Sequence, residues 1–149
     1  MDTWKQYTLR ANTEYQLACY GNAILMHNQA LDHARHHFGD EADNCLEQAI
    51  ARVMISHFNL ADCYMALEEY SRAADCYLAA QGFLVDVAQG SVTVDSDQQA
   101  LLHANGHLHT LWHKLVKDHG PALAWRHQLA YHERSRELLS AAEAGVVRH

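Results

Sequence analysis

Apolar positions recur every three or four residues along nearly the whole chain, the period of an amphipathic helix rather than of a strand. Trp4, Tyr7, Ala11, Tyr15 and Ala18 mark a first helix, and Thr3 with Gln6 reads as a capping box at its start. Tyr20-Gly21-Asn22 reads as a turn. The second helix carries Ala23, Ile24, His27, Ala30, Leu31 and Ala34 on one stripe, runs to about residues 35–38, and stops at Gly39. Asp40, Glu41 and Asp43 then load acids onto the start of a third helix, where its dipole favours them. That helix holds Leu46, Ile50, Val53, Met54, His57, Leu60, Ala61 and Tyr64. Glu68-Glu69 forms the next turn, and a fourth helix from near Ser71 buries Ala73, Ala74, Tyr77, Ala80 and Leu84.

Over residues 88–97 the period fails, which predicts a loop with one short β-like run; Ser96 and Gln99 suggest a second capping box. A fifth helix holds Leu101, Ala104, Leu108, Leu111, Trp112 and Leu115. Asp118-His119-Gly120-Pro121 ends it. Pro121 suits the first position of a sixth helix, which carries Leu123, Ala124, Trp125, Leu129, Leu138 and Leu139 and is expected to fray after Gly145. The chain is therefore predicted to be all-α, with about six helices in three antiparallel hairpins forming one domain over 1–149. The expected core includes Trp4, Tyr7, Ala11, Ala23, Leu60, Ala61, Tyr64, Ala73, Tyr77, Ala80, Trp112 and Trp125.

The sequence also repeats internally. Leu60-Ala61, Tyr64, Tyr70, Ala73, Tyr77 and Ala80 stand at fixed steps within residues 54–87, and Tyr20, Ala23, His27 and Ala30 reproduce the second half of that spacing within 4–37. Ala11 answers Ala61. This spacing resembles the tetratricopeptide repeat (TPR), in which small residues let two helices approach closely and aromatics fill the spaces between them. The copies lie 50 residues apart rather than about 34, so some 16 extra residues lengthen the unit around the Phe38–Asp43 turn. His27 replaces an aromatic, neither copy ends in Pro, and residues 97–144 form a divergent capping hairpin. The chain is also similar to small TPR-like proteins of vibrio-type bacteria, a likeness that implies no activity.

The TPR resemblance implies a right-handed stack with a groove lined by the first helix of each hairpin. The groove candidates are Lys5, Thr8, Asn12 and Tyr15 from the first hairpin, and Ile55, Phe58, Asn59 and Asp62 from the second. Asn12 and Asn59 match two positions of a TPR carboxylate clamp, but Thr8 stands where a Lys belongs, and a clamp needs charge-assisted donors. Tyr15, Ile55 and Phe58 suit an apolar trough for a partner helix or extended segment.

Charge narrows the partners. The net charge of the 149 residues is −7, and residues 38–100 hold eleven acids against only Arg52 and Arg72. Such an acidic middle disfavours nucleic acid, which needs a basic face. No apolar run reaches the roughly 18 residues of a membrane span, and the first residues lack a signal-peptide core, so a cytoplasmic protein is expected. Cys19, Cys45, Cys63 and Cys76 are widely spread and read as small, mostly buried apolar residues.

Thirteen histidines include three i, i+4 pairs, His33/His37, His103/His107 and His109/His113, a spacing that can chelate zinc, nickel or copper. No Glu sits inside any pair as in a zinc protease, and the fifth helix turns its two pairs to opposite flanks. Like charges on those two pairs predict a fold that weakens on acidification. Arg126-His127 followed by His132 resembles the Arg–polar–x4–His signature of HEPN ribonucleases. The reading that follows is a non-enzymatic protein-interaction module, adaptor or chaperone-like, without cofactor, binding a protein or peptide. An exposed apolar end of the stack suits homodimerisation. The alternatives are a HEPN-like ribonuclease using Arg126 and His132, and a histidine-rich metal binder.

Overall fold

The structure, a computed structural model, describes residues 2–90 and 95–147. Among the described residues seven α-helices follow one another: α1 (Thr3–Gln16), α2 (Tyr20–His36), α3 (Phe38–Asn44), α4 (Leu46–Ala66), α5 (Tyr70–Gln89), α6 (Asp95–His119) and α7 (Trp125–Val147), with a 3-10 turn at Gly120–Ala122. No strand occurs among the described residues, and the β-like run at 91–94 lies outside them. The all-α expectation holds; the count of six does not. The additional element is α3.

Several predicted boundaries move for identifiable reasons. Asp2, not Thr3, caps α1, its carboxylate accepting from the Lys5 amide. Ser96 falls inside α6 rather than before it. Gly39 does not end α2; it sits within α3, which also takes the acids expected at the head of the next helix. Pro121 lies in the 3-10 turn, and α7 opens four residues later and continues past Gly145. The first hairpin turn is not at Gly21 but at Leu17–Cys19, where Ala18 adopts a left-handed φ of 59°.

That turn recurs. Glu68 has φ 58°, fifty residues after Ala18. The Cys19 amide bonds to Glu14 O and the Ala18 amide to Tyr15 O, while the Glu69 amide bonds to Tyr64 O and the Glu68 amide to Met65 O. In both, a left-handed residue lets the chain satisfy the last helical carbonyls and reverse. The same turn thus ends α1 and α4.

Packing follows the small residues. α1 packs on α2, α2 on α4, and α4 on α5. Ala11, Ala23, Ala30, Ala61, Ala73, Ala74 and Ala80 are fully buried along these contacts, and with no side-chain bulk they bring helices close. α6 lies on both α4 and α5, and α7 on α5. The last hairpin differs: α6 and α7 meet through Trp112, stacked on Tyr131 at 4.6 Å, with His109 beside them. These large rings hold the two backbones apart. Gln81 of α5 is wholly buried and donates to Tyr131 O (3.1 Å) and Ser135 Oγ (2.9 Å), pinning α7.

The core contains the predicted Trp4, Ala11, Ala23, Leu60, Ala61, Ala73, Tyr77, Ala80 and Trp112; Tyr7 and Tyr64 pack at its edge. Trp125 does not belong to it. It is 77% exposed at the first position of α7, and Leu123 and His127 are buried instead. Cys63 and Cys76 are buried as expected, whereas Cys19 and Cys45 are exposed. At the amino end, Arg52 joins Asp2 and Glu41 and lies over the Trp4 ring at 5.2 Å, while Trp4 Nε1 donates to Ser56 Oγ at 2.9 Å.

Candidate functional site

α4 is covered on most sides by its neighbours, and its open stripe is informative. Ile55 and Asp62 are exposed and Asn59 half-buried, at i, i+7 and i+4 of one helical face. α1 runs alongside with Lys5, Asn12 and Tyr15 exposed and Thr8 half-buried, its hydroxyl shut away from solvent. Tyr15 lies close enough to Asp62 for the carboxylate, after burial, to raise the phenol above its ordinary value; its ring meets Tyr20 edge-on at 5.3 Å. Seven of the eight predicted groove residues thus lie on the open sides of α1 and α4. The eighth, Phe58, is a correction: it is buried, edge-on to Tyr77 at 6.1 Å and to His107 of α6 at 5.0 Å. It lies beneath the open stripe of α4, not on it.

α6 supplies the third wall, which the sequence reading left without a charged group. His103, His107, Thr110 and Lys114 are exposed along one stripe of α6. The Lys114 ammonium acts on Asp62. Asp62 is open to solvent yet crowded by protein, and this crowding raises its carboxyl above the usual value against the pull of Lys114. Asp62 thus has a phenol and a lysine within electrostatic reach and Ile55 two turns away on its own helical face, groups that suit an apolar segment together with a cation or a hydrogen-bond donor.

Three settings hold His27 and His57, His127, and the α6 histidines; His33, His36 and His37 cluster around the end of α2 and His132 lies on α7. His27 and His57 are buried in the helix stack, and burial lowers each to about 4; Arg35, donating to His57 Nε2 at 3.0 Å, adds to the effect there. His127 is buried too, with Nε2 3.0 Å from Asp75 Oδ1. The remaining setting is α6, where His109 and His113 place their Nε2 atoms 2.9 Å apart. Of the HEPN-like residues, Arg126 and His132 are exposed on α7. Six residues of helix turn through about 600°, so the two side chains leave faces about 120° apart. No group of three or more metal-ligating side chains occurs among the described residues. Burial raises the thiols of Cys63 to about 11 and Cys76 to about 12, which makes them poor nucleophiles.

A family model for a protein of unknown function, DUF2753, matches residues 2–143, almost the whole chain. The chain belongs to the DUF2753 family. No curated protein and no solved structure gives a significant match. For this DUF2753 chain the site must therefore be read from its own residues. Sequence reasoning read His107 only as one of a chelating pair, and missed Lys114 and Tyr131. Lys114 had a signal, the regular 103/107/110/114 stripe on α6; Tyr131 had none, because its partners come from α5 and α6.

Proposed function

We propose that this protein is a non-enzymatic interaction module, a TPR-like stack of helical hairpins whose groove over α1, α4 and α6 binds a peptide or helix of a protein partner. One observation carries the reading: the most enclosed helix, α4, keeps a single open stripe, Ile55–Asn59–Asp62, flanked by Tyr15 on one side and by His107 and Lys114 on the other. The left-handed turn that recurs after fifty residues supports this reading, since α1 and α4 end in the same way. The groove is mixed in charge, with Asp62 near Lys114, so it favours an amphipathic segment over a terminal carboxylate alone. No helix among the described residues is long and apolar enough to cross a membrane.

The test is site-specific photocrosslinking in cells. A crosslinking amino acid at Ile55 is expected to capture a discrete protein partner, and the same probe at Leu25, exposed on α2, is not. Adding Tyr15→Ala and Asp62→Lys should remove the Ile55 adduct without loss of helical signal. Equal adducts from both probe positions, or an Ile55 adduct insensitive to those changes, overturns the groove assignment.

A further inference from the structure

Three i, i+4 histidine pairs share one spacing, and the structure separates them. His33 and His37 lie ring against ring, with centroids 4.3 Å apart, and His37 also meets His36. In the second pair, His107 turns onto Phe58. Only His109 and His113, among the described residues, bring two ring nitrogens within hydrogen-bond distance, Nε2 to Nε2 at 2.9 Å. Both side chains are exposed, and they occupy a different stripe of α6 from the groove wall.

His109 has a further partner. Its Nδ1 is hydrogen-bonded to the hydroxyl of Tyr131 on α7. Tyr131 cannot easily move: it is buried, stacked on Trp112, and its carbonyl accepts from Gln81 and Ser135. A hydrogen bond at one imidazole nitrogen, from a group fixed by the core, is what orients a metal-binding histidine and directs the other nitrogen outward.

We propose that His109 and His113 form a two-histidine chelate for a copper(II) or nickel(II) ion, with Tyr131 setting the His109 ring. The spacing favours these ions over zinc. At a metal–nitrogen distance of about 2.05 Å, nitrogens held as in the apo pair subtend roughly 90° at the metal, the angle between neighbouring positions in square-planar or octahedral coordination. A tetrahedral zinc ion needs nitrogens about 3.3 Å apart. The cation takes the place of the proton between the two Nε2 atoms; that proton moves through solvent to Nδ1 of the exposed His113, so both rings stay neutral, and the Nδ1–H of His109 donates to the Tyr131 oxygen. With two protein ligands and an exposed face, the remaining positions are open to water or to a ligand from outside. This inference is independent of the groove and survives its failure.

The experiment uses the full chain without a histidine tag, titrated with Cu2+ and Ni2+ by calorimetry, with electron paramagnetic resonance of the copper form. One copper per chain is expected at the tightest site, with hyperfine structure from two nitrogens. His109→Ala/His113→Ala should abolish that site, and His33→Ala/His37→Ala should leave it intact. Tyr131→Phe keeps the ring on Trp112 and loses only the hydroxyl; it should weaken copper binding about tenfold. Far-UV circular dichroism and melting of each variant separate loss of the site from loss of the fold. Tightest binding that persists in a folded His109→Ala/His113→Ala variant, or falls equally in the His33/His37 variant, overturns the proposal. A Tyr131→Phe variant that binds as the parent does overturns the orienting role.

Discussion

Acid should unfold this protein through two histidines that face no solvent. His27 is 1% exposed and His57 4%, and burial lowers each from 6.5 to about 4. His57 has the added constraint that Nε2 must keep its lone pair to accept from Arg35 at 3.0 Å. Protonating it would set two cations against each other. Because the folded pKa of each base lies below its unfolded value, the unfolded chain binds more protons between pH 6.5 and 4. Stability is therefore full above pH 6.5, falls as pH drops through that value, and levels off below about 4. At pH 5 each group costs about 2 kcal/mol and the two together about 4 kcal/mol, a large part of the 5–15 kcal/mol that holds a typical domain together. Replacing His27 by Leu, of similar volume, removes one titration and an Nδ1 that has no partner. Urea unfolding at pH 7.5 and pH 5 should then show the acid loss fall from about 4 to about 2 kcal/mol. If His27→Leu loses as much stability as the parent, or the parent melts higher at pH 5, burial is not what controls the titration. The sequence led to the same sign through the paired histidines of α6; the groups with the largest shifts lie on α2 and α4 instead.

Three further outcomes follow from the packing. Ala73→Leu should force α4 and α5 apart and lower stability by about 1–3 kcal/mol in urea unfolding, since Ala73 is wholly buried between them. Ser56→Ala leaves the buried Trp4 Nε1 without its acceptor and should cost about 1–3 kcal/mol, with a change in tryptophan fluorescence marking the loosened amino end. Gly39→Ala should stabilise by about 0.4–1 kcal/mol: Gly39 is helical, without positive φ, and a Cβ there meets nothing within 4 Å. A loss of stability in that variant would restore Gly39 as a helix terminator.

The parts of the fold readable in the sequence were those fixed by local spacing. Ala61, Ala73, Tyr77 and Ala80 declare two close helices because small and aromatic residues alternate at helical steps, and their burial follows. The hairpin turns were displaced because the left-handed positions carry Ala18 and Glu68, not glycine, so composition pointed to Gly21 instead. Trp125 looked like core because the apolar period reaches it, but it begins α7 beyond the last covering helix. Phe58 and Asp62 show the same limit within the site. They lie four residues apart on α4, and only the position of α6, set far along the chain, buries one under His107 and leaves the other open beside Lys114.

The packing of the helices has a consequence for how the molecule opens. Helices that rest on different numbers of neighbours need not open together. α1 rests chiefly on α2, whereas α4 is packed by helices before and after it in the chain. Native-state hydrogen exchange should accordingly be graded along the chain, with α1 amides opening by local excursions and α4 amides only with the whole protein. The ties from Arg52 to Asp2 and from Ser56 to Trp4 then act as latches on the terminal unit, setting how often the amino end lifts away while the rest stays folded.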